Sequence, residues 1–132
     1  MPTLPLTKTN FEQVVRGNDL VLVDFWAPWC GPCRIFGPVF EKASGAHPDV
    51  VFAKVNTDEE AELAAAFQIT SIPTLMAFRE QVLLYAEPGA LPAPVLDELI
   101  TRVKTLDMAE VRRRIAEAEN DGDRAATGGS EE

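Results

Sequence analysis

Apolar positions along the chain fall into two kinds of run. Leu20-Val21-Leu22-Val23-Asp24-Phe25-Trp26 is apolar at six of seven positions, and a run this continuous predicts a strand covered on both faces rather than one alternating between core and solvent. Asp24 is its one charge. A carboxylate there bears a desolvation cost that raises its pKa unless a partner offsets it. Val50 to Val55 repeats the pattern with Lys54 as the interruption, so Asp24 and Lys54 invite pairing across neighbouring strands. The second kind of run has helical spacing. Ile35, Phe36, Val39, Phe40 and Ala43 form one broad apolar face, as do Val95, Leu96, Leu99, Ile100 and Val103 further on. Gly37-Pro38 should bend the first of these helices.

Capping and turn residues place the boundaries. Thr9 and Glu12 have the spacing of a capping box, which predicts a short helix from about Thr9 that stops before Gly17-Asn18. Thr57 and Glu60 repeat that spacing and open an alanine-rich helix through Phe67. His47-Pro48-Asp49 marks a turn, and Thr70 to Thr74 leads into a strand over Leu75 to Phe78. Arg79-Glu80-Gln81 then separates this strand from Val82 to Tyr85, which predicts an antiparallel hairpin. After the break at Pro88-Gly89, the last packed helix should close the domain near Leu106. The order of elements is β-α-β-α followed by β-β-α, an α/β fold with a mixed sheet.

Composition changes the picture in three ways. A chain of 132 residues with 46% hydrophobic content suits one compact domain, here residues 1–106. Residues 107–132 look appended: they hold eight acids and four arginines, −4 of the total −9. Within them Met108, Val111, Ile115 and Ala118 make a thin helical stripe behind a candidate Asp107 cap, with Glu110 and Arg114 spaced to pair, and the Gly-, Ser- and acid-rich stretch from Asn120 predicts a disordered end. Arg112-Arg113-Arg114 lies among acids and reads as a solvated face. The net charge argues against nucleic acid and anionic membrane as partners. The first ten residues carry one lysine and no long apolar run, and no later stretch reaches membrane-spanning length. The expected location is therefore cytoplasmic.

Both cysteines of the chain lie in Trp29-Cys30-Gly31-Pro32-Cys33, between a strand and the start of a helix. At the helix N-terminus Cys30 meets unpaired backbone N–H groups and the positive end of the helix dipole, which favour thiolate and make it the candidate nucleophile. Cys33, one turn deeper and shielded, is the candidate resolving thiol. A structural disulfide or half of a zinc site would use the same pair, but a reducing compartment disfavours the first, and His47 is the only other soft ligand for the second. Asp24 and Lys54 could equally be a structural ion pair. Trp29, beside the nucleophile, reads as part of an apolar docking surface, and His47 as a residue at a helix end.

Val23-Asp24-Phe25-Trp26-Ala27-x-Trp29-Cys30-Gly31-Pro32-Cys33, Lys54, Ile72-Pro73-Thr74 and Gly89 together resemble the thioredoxin family over about residues 4–106. The resemblance implies a four- or five-stranded central sheet flanked by helices, and a protein disulfide reductase working by thiol–disulfide exchange without bound cofactor or metal. It implies a redox-active Cys30–Cys33 disulfide, with Asp24 and Lys54 as a buried pair tuning proton transfer at Cys33. A cis Pro73 should pack against the cysteines. Substrate contacts would come from Trp29, Gly31, Pro32, Ile72, Pro73 and Gly89, with disulfide-containing proteins as substrates. Thioredoxin reductase would be the reducing partner, and a monomer the working form. Gly31-Pro32 is the pair that goes with a reducing poise in the family.

The chain departs from the family pattern at three places. The hairpin turn lacks the usual glycine, Pro88 precedes Gly89 and removes a backbone donor near the substrate groove, and the extension after Asp107 has no counterpart in a minimal member. Two rival readings follow: an interaction or chaperone module with incidental redox chemistry, for which the extension speaks, and a dedicated electron donor to one enzyme, for which Pro88 speaks.

Overall fold

The computed structural model describes residues 3–131, with side-chain surroundings described through residue 121. Five strands, β1 (Thr3–Pro5), β2 (Leu20–Trp26), β3 (Val51–Asn56), β4 (Thr74–Arg79) and β5 (Val82–Pro88), form one sheet in the order β1-β3-β2-β4-β5. β1 and β2 both run parallel to β3, while β2–β4 and β4–β5 are antiparallel. Among the described residues there are five helices: α1 (Phe11–Gly17), α2 (Gly31–Ala46), α3 (Ala61–Ala66), α4 (Ala93–Thr105) and α5 (Met108–Glu131).

The unbroken apolar run of β2 reflects burial on both faces. Leu20 and Leu22 pack with Phe36, Phe40 and Ala43 of α2 and Leu96, Ile100 and Val103 of α4, whereas Val21, Val23 and Phe25 pack on the other side with Val15 of α1 and Leu63 of α3. By the two-residue alternation of a strand, Asp24 faces the α2/α4 side. On both amphipathic helices the predicted face is wider than the buried one. Ile35 is 71% exposed and Val95 46% exposed, because each sits at the margin of a stripe whose centre already fills the contact with the sheet.

Neither predicted capping box forms. At α1 the Thr7 N–H donates to Asn10 Oδ1 at 2.7 Å, while Thr7 Oγ1 accepts from the N–H groups of Thr9 and Asn10. Glu12 turns instead to Arg16 at 2.6 Å, and the helix includes Gly17. Before α3, Asn56 Oδ1 accepts from the N–H groups of Asp58 and Glu59, while Thr57 Oγ1 donates to the Trp26 carbonyl. In each case these bonds fold the turn ahead of the helix, and neither N-cap side chain, Asn10 or Glu60, caps its helix.

β1 has no counterpart among the predicted elements: three residues ending in proline carry no alternation. Its Pro5 sits on the sheet edge, where a missing N–H is tolerated, and Leu6 N–H donates to Lys54 O at 2.8 Å just beyond it. The hairpin closes through two residues, Glu80 and Gln81, at φ 51° and 70°. Both are in the region a tight primed turn requires and glycine or asparagine usually occupies. His47 caps the C-terminal end of α2 and is more enclosed than expected: Nε2 lies 3.2 Å from Asp97 and Nδ1 3.1 Å from Lys104 Nζ.

α4 ends against an arginine from the sheet. Arg79 Nη1 donates to the carbonyls of Val103 at 2.9 Å and Leu106 at 2.7 Å. Asp107 then caps α5 through the N–H groups of Ala109 and Glu110, as its position predicts, and Glu110 pairs with Arg114 at 3.0 Å. Met108 is buried, Ile115 is 39% exposed, and Arg112 pairs with Glu80 of the hairpin turn. α5 is longer than the predicted Met108-to-Ala118 stretch; the side chains of the end predicted to be disordered fall almost entirely outside the described residues. No described helix is long and apolar enough to cross a membrane.

Candidate active site

The sheet delivers its chemistry at the C-terminal end of β2. The chain leaves β2 at Trp26, and Cys30 N–H returns to Ala27 O at 3.2 Å, so that Cys30 becomes the N-cap of α2 with φ −84° and ψ 116°. Gly31 and Pro32 follow in the first turn, where proline loses nothing because that N–H has no helical acceptor. Cys30 and Cys33 are joined by a disulfide with Cα atoms 5.2 Å apart. Cys30 Sγ accepts the Cys33 N–H at 3.2 Å, which places the sulfur where a capping oxygen would stand. The predicted shielding of Cys33 holds at 5% exposure, but Cys30 is covered as well, at 4%.

What covers them is a small apolar cluster of Ala27, Trp26 and Ile72. The Ile72–Pro73 peptide is cis, and the Ile72 carbonyl oxygen lies 3.6 Å from Cys30 Sγ. Gly89, at φ +116°, donates its N–H to the Pro73 carbonyl at 2.8 Å. Pro88 pairs in register with Thr74 at the end of the β4–β5 ladder, so these two loops are tied together beside the disulfide. Trp29 stands 66% exposed, with its indole N–H donating to the Asp58 carboxylate at 3.1 and 3.2 Å. Asp58 had no signal of its own in the sequence, since it lies in a loop read only for capping.

Asp24 and Lys54 are register partners on β2 and β3, yet they do not form the expected ion pair. Asp24 is fully buried, and neither carboxylate oxygen has a hydrogen-bond partner. Burial pushes its pKa from 3.8 to about 7; the Lys54 charge pulls it down and the Glu41 charge pushes it further up. The Lys54 ammonium reaches instead to Glu41 of α2, at 3.8 Å, passing over the Trp26 ring at 4.8 Å. Cys33, Lys54 and Glu41 line one cleft of about 290 Å³. Glu41 was missed from sequence; its one signal is that it follows Cys33 by two helical turns. His47 lies at the opposite end of α2, so it cannot complete a zinc site with the cysteines. Among the described residues no three His, Cys, Asp or Glu side chains gather to hold a metal.

A sulfur at a helix N-cap, joined in a disulfide to a second sulfur one turn on, defines a dithiol–disulfide oxidoreductase site. The thioredoxin family model matches residues 2–102. A Streptomyces coelicolor protein named, provisionally, thioredoxin 2 is 58% identical over 115 residues, 87% of this chain and 86% of that one. Thioredoxin of Alicyclobacillus acidocaldarius is 46% identical over 103 residues, 74% of this chain and 98% of that one. Among solved structures, a variant thioredoxin from Halobacterium salinarum superposes with a TM-score of 0.73 at 33% identity, covering 80% of this chain and 93% of that one. The chain belongs to the thioredoxin family and is a protein-disulfide reductase acting by thiol–disulfide exchange.

Proposed function

We propose that Cys30 is the attacking thiol and Cys33 the resolving one. In the reduced protein the Cys30 thiolate attacks one sulfur of a substrate disulfide; the new Cys30–S bond forms, the substrate S–S bond breaks, and the departing substrate thiolate takes a proton. Cys33, once deprotonated, attacks Cys30 Sγ, breaks the mixed disulfide and releases the second substrate thiol. Two electrons pass to the substrate, and the Cys30–Cys33 disulfide is left. The observation that carries this order is the N-cap position of Cys30 Sγ, which receives the Cys33 N–H; the same donor and the helix dipole favour a thiolate there.

Asp24, titrating near neutrality, takes the proton from Cys33, and Lys54 adjusts that carboxyl from the neighbouring strand. Trp29, Gly31, Pro32, Ile72, Pro73 and Gly89 form the surface against which a substrate strand docks. The protein works as a cytoplasmic monomer that carries electrons from a thioredoxin reductase to disulfide-containing proteins and so supports cellular redox homeostasis. Residues 1–106 are the working domain and residues 107–132 an extension. α5 continues well past the family-matched residues, which favours as second reading an interaction module that uses the extension.

Insulin reduction with reductase and NADPH tests these readings. Cys30→Ser should abolish turnover, whereas Cys33→Ser should accumulate mixed disulfides with substrate. Substrate trapped on Cys30→Ser through Cys33 would reverse the assignment. Full biological complementation by the double Cys→Ser variant would favour the module.

A further inference from the structure

Asp24 is a fully buried carboxylate with both oxygens unpartnered, and a lysine occupies the register position beside it on β3. The cheapest arrangement for both would be an ion pair, since an opposite charge at close range offsets much of the cost of burying a carboxylate. The lysine makes no such pair. Its ammonium lies beside the α2 backbone, 3.9 Å from where a Cβ on Gly37 would stand, and 3.8 Å from Glu41 one turn further on. Glu41 is itself fixed from the sheet edge, because Thr3 Oγ1 of β1 donates to the same Glu41 Oε1 at 3.0 Å.

We infer that Glu41 is a positioning residue that draws Lys54 away from Asp24 and thereby leaves the buried carboxyl free to exchange a proton rather than locked as one half of an ion pair. The neighbours of Asp24 are consistent with this division. Of its two register partners, Lys54 on β3 is charged and Leu75 on β4 is not, and the residues that α4 presents to this side of the sheet, Leu96, Ile100 and Val103, are apolar. The two charges acting on Asp24 are Lys54 from β3 and Glu41 from α2, with opposite signs. Glu41 therefore acts twice: as a nearby negative charge and as the anchor that sets where the positive one sits. The inference rests on the reading of Asp24 as the proton acceptor, and deepens it.

Glu41→Gln keeps the size of the side chain and an acceptor for Thr3 while removing the charge that holds Lys54. The midpoint of Asp24, followed through its side-chain carboxyl carbon by NMR in the oxidised full-length protein, should fall by about one pH unit. A direct charge effect alone would give part of that fall, so Lys54→Met is made in both backgrounds. With Lys54 released toward Asp24, its removal should raise the Asp24 midpoint about twice as far in Glu41→Gln as in the wild type. The pH profile of insulin reduction should move with the midpoint. An unchanged Asp24 midpoint in Glu41→Gln, or an equal effect of Lys54→Met in both backgrounds, would overturn the positioning role. A midpoint that falls while the pH profile of turnover stays fixed would uphold Glu41 and refute Asp24 as proton acceptor, which separates the two claims.

Discussion

Replacing Asp24 by Asn should change how the stability of this protein depends on pH. The folded-state pKa of Asp24 is raised from 3.8 to about 7 by burial, so between those values the native protein binds a proton that the unfolded chain has released. Stability from this group is therefore fully present below the unfolded pKa and is lost as pH rises toward about 7. A tenfold difference in proton affinity corresponds to about 1.4 kcal/mol, and the gap between 3.8 and about 7 amounts to about 4 kcal/mol. Asn cannot ionise, so Asp24→Asn lacks this loss. Its amide is left as unpartnered as the protonated carboxyl, and that cost is nearly the same at every pH. The two proteins should thus be about equally stable near pH 4, with the variant ahead by about 4 kcal/mol near pH 8. Urea titrations of oxidised wild type and variant at a series of pH values give the difference directly. Parallel curves across that range would show that Asp24 is not a buried carboxyl with a raised pKa, and the proton-transfer reading would lose its physical basis.

Other expectations follow from the framework around the site. Gln81→Gly relieves a side chain held at φ 70° and should add about 1 kcal/mol of stability in urea, with no gain indicating an unstrained turn. Arg79→Met keeps the apolar stem but strips the Val103 and Leu106 carbonyls of their donor, which should cost about 2 kcal/mol; a neutral result would mean water serves those carbonyls equally well. Truncation after Leu106 removes the buried Met108 and should cost about 2 kcal/mol while leaving insulin turnover unchanged, and a folded but inactive fragment would place α5 in the redox machinery.

Most of the fold was legible because its signals are local and strong. β2 is a long run buried on both faces, and Trp29-Cys30-Gly31-Pro32-Cys33 sits where strand passes into helix, so periodicity and motif point to the same place. β1 was not legible: three residues at a sheet edge are defined by their partner, β3, and not by their own pattern. The capping boxes failed because Thr7 and Asn56, one or two residues earlier, fold the chain ahead of each helix into turns of their own, bonding the N–H groups of Thr9 and Asn10 in one and of Asp58 and Glu59 in the other. Within the site, the sequence pointed to Asp24 and Lys54 as neighbours, and the register agrees. The lysine's turn toward Glu41 depends on a helix crossing above the sheet, and that geometry leaves no trace in the spacing of residues.

β4 begins at Thr74, immediately after the cis peptide that abuts Cys30, and ends at Arg79, whose guanidinium clasps the junction from which α5 departs. One strand thus has the redox chemistry at one pole and the root of the extension at the other, separated by about 17 Å of extended chain. Cargo joined to the protein near that root would be aimed by the sheet rather than loosely tethered, and its footprint would fall on the hemisphere away from the sulfur atoms. A partner that gripped the root of α5 would therefore leave the face around Cys30 uncovered.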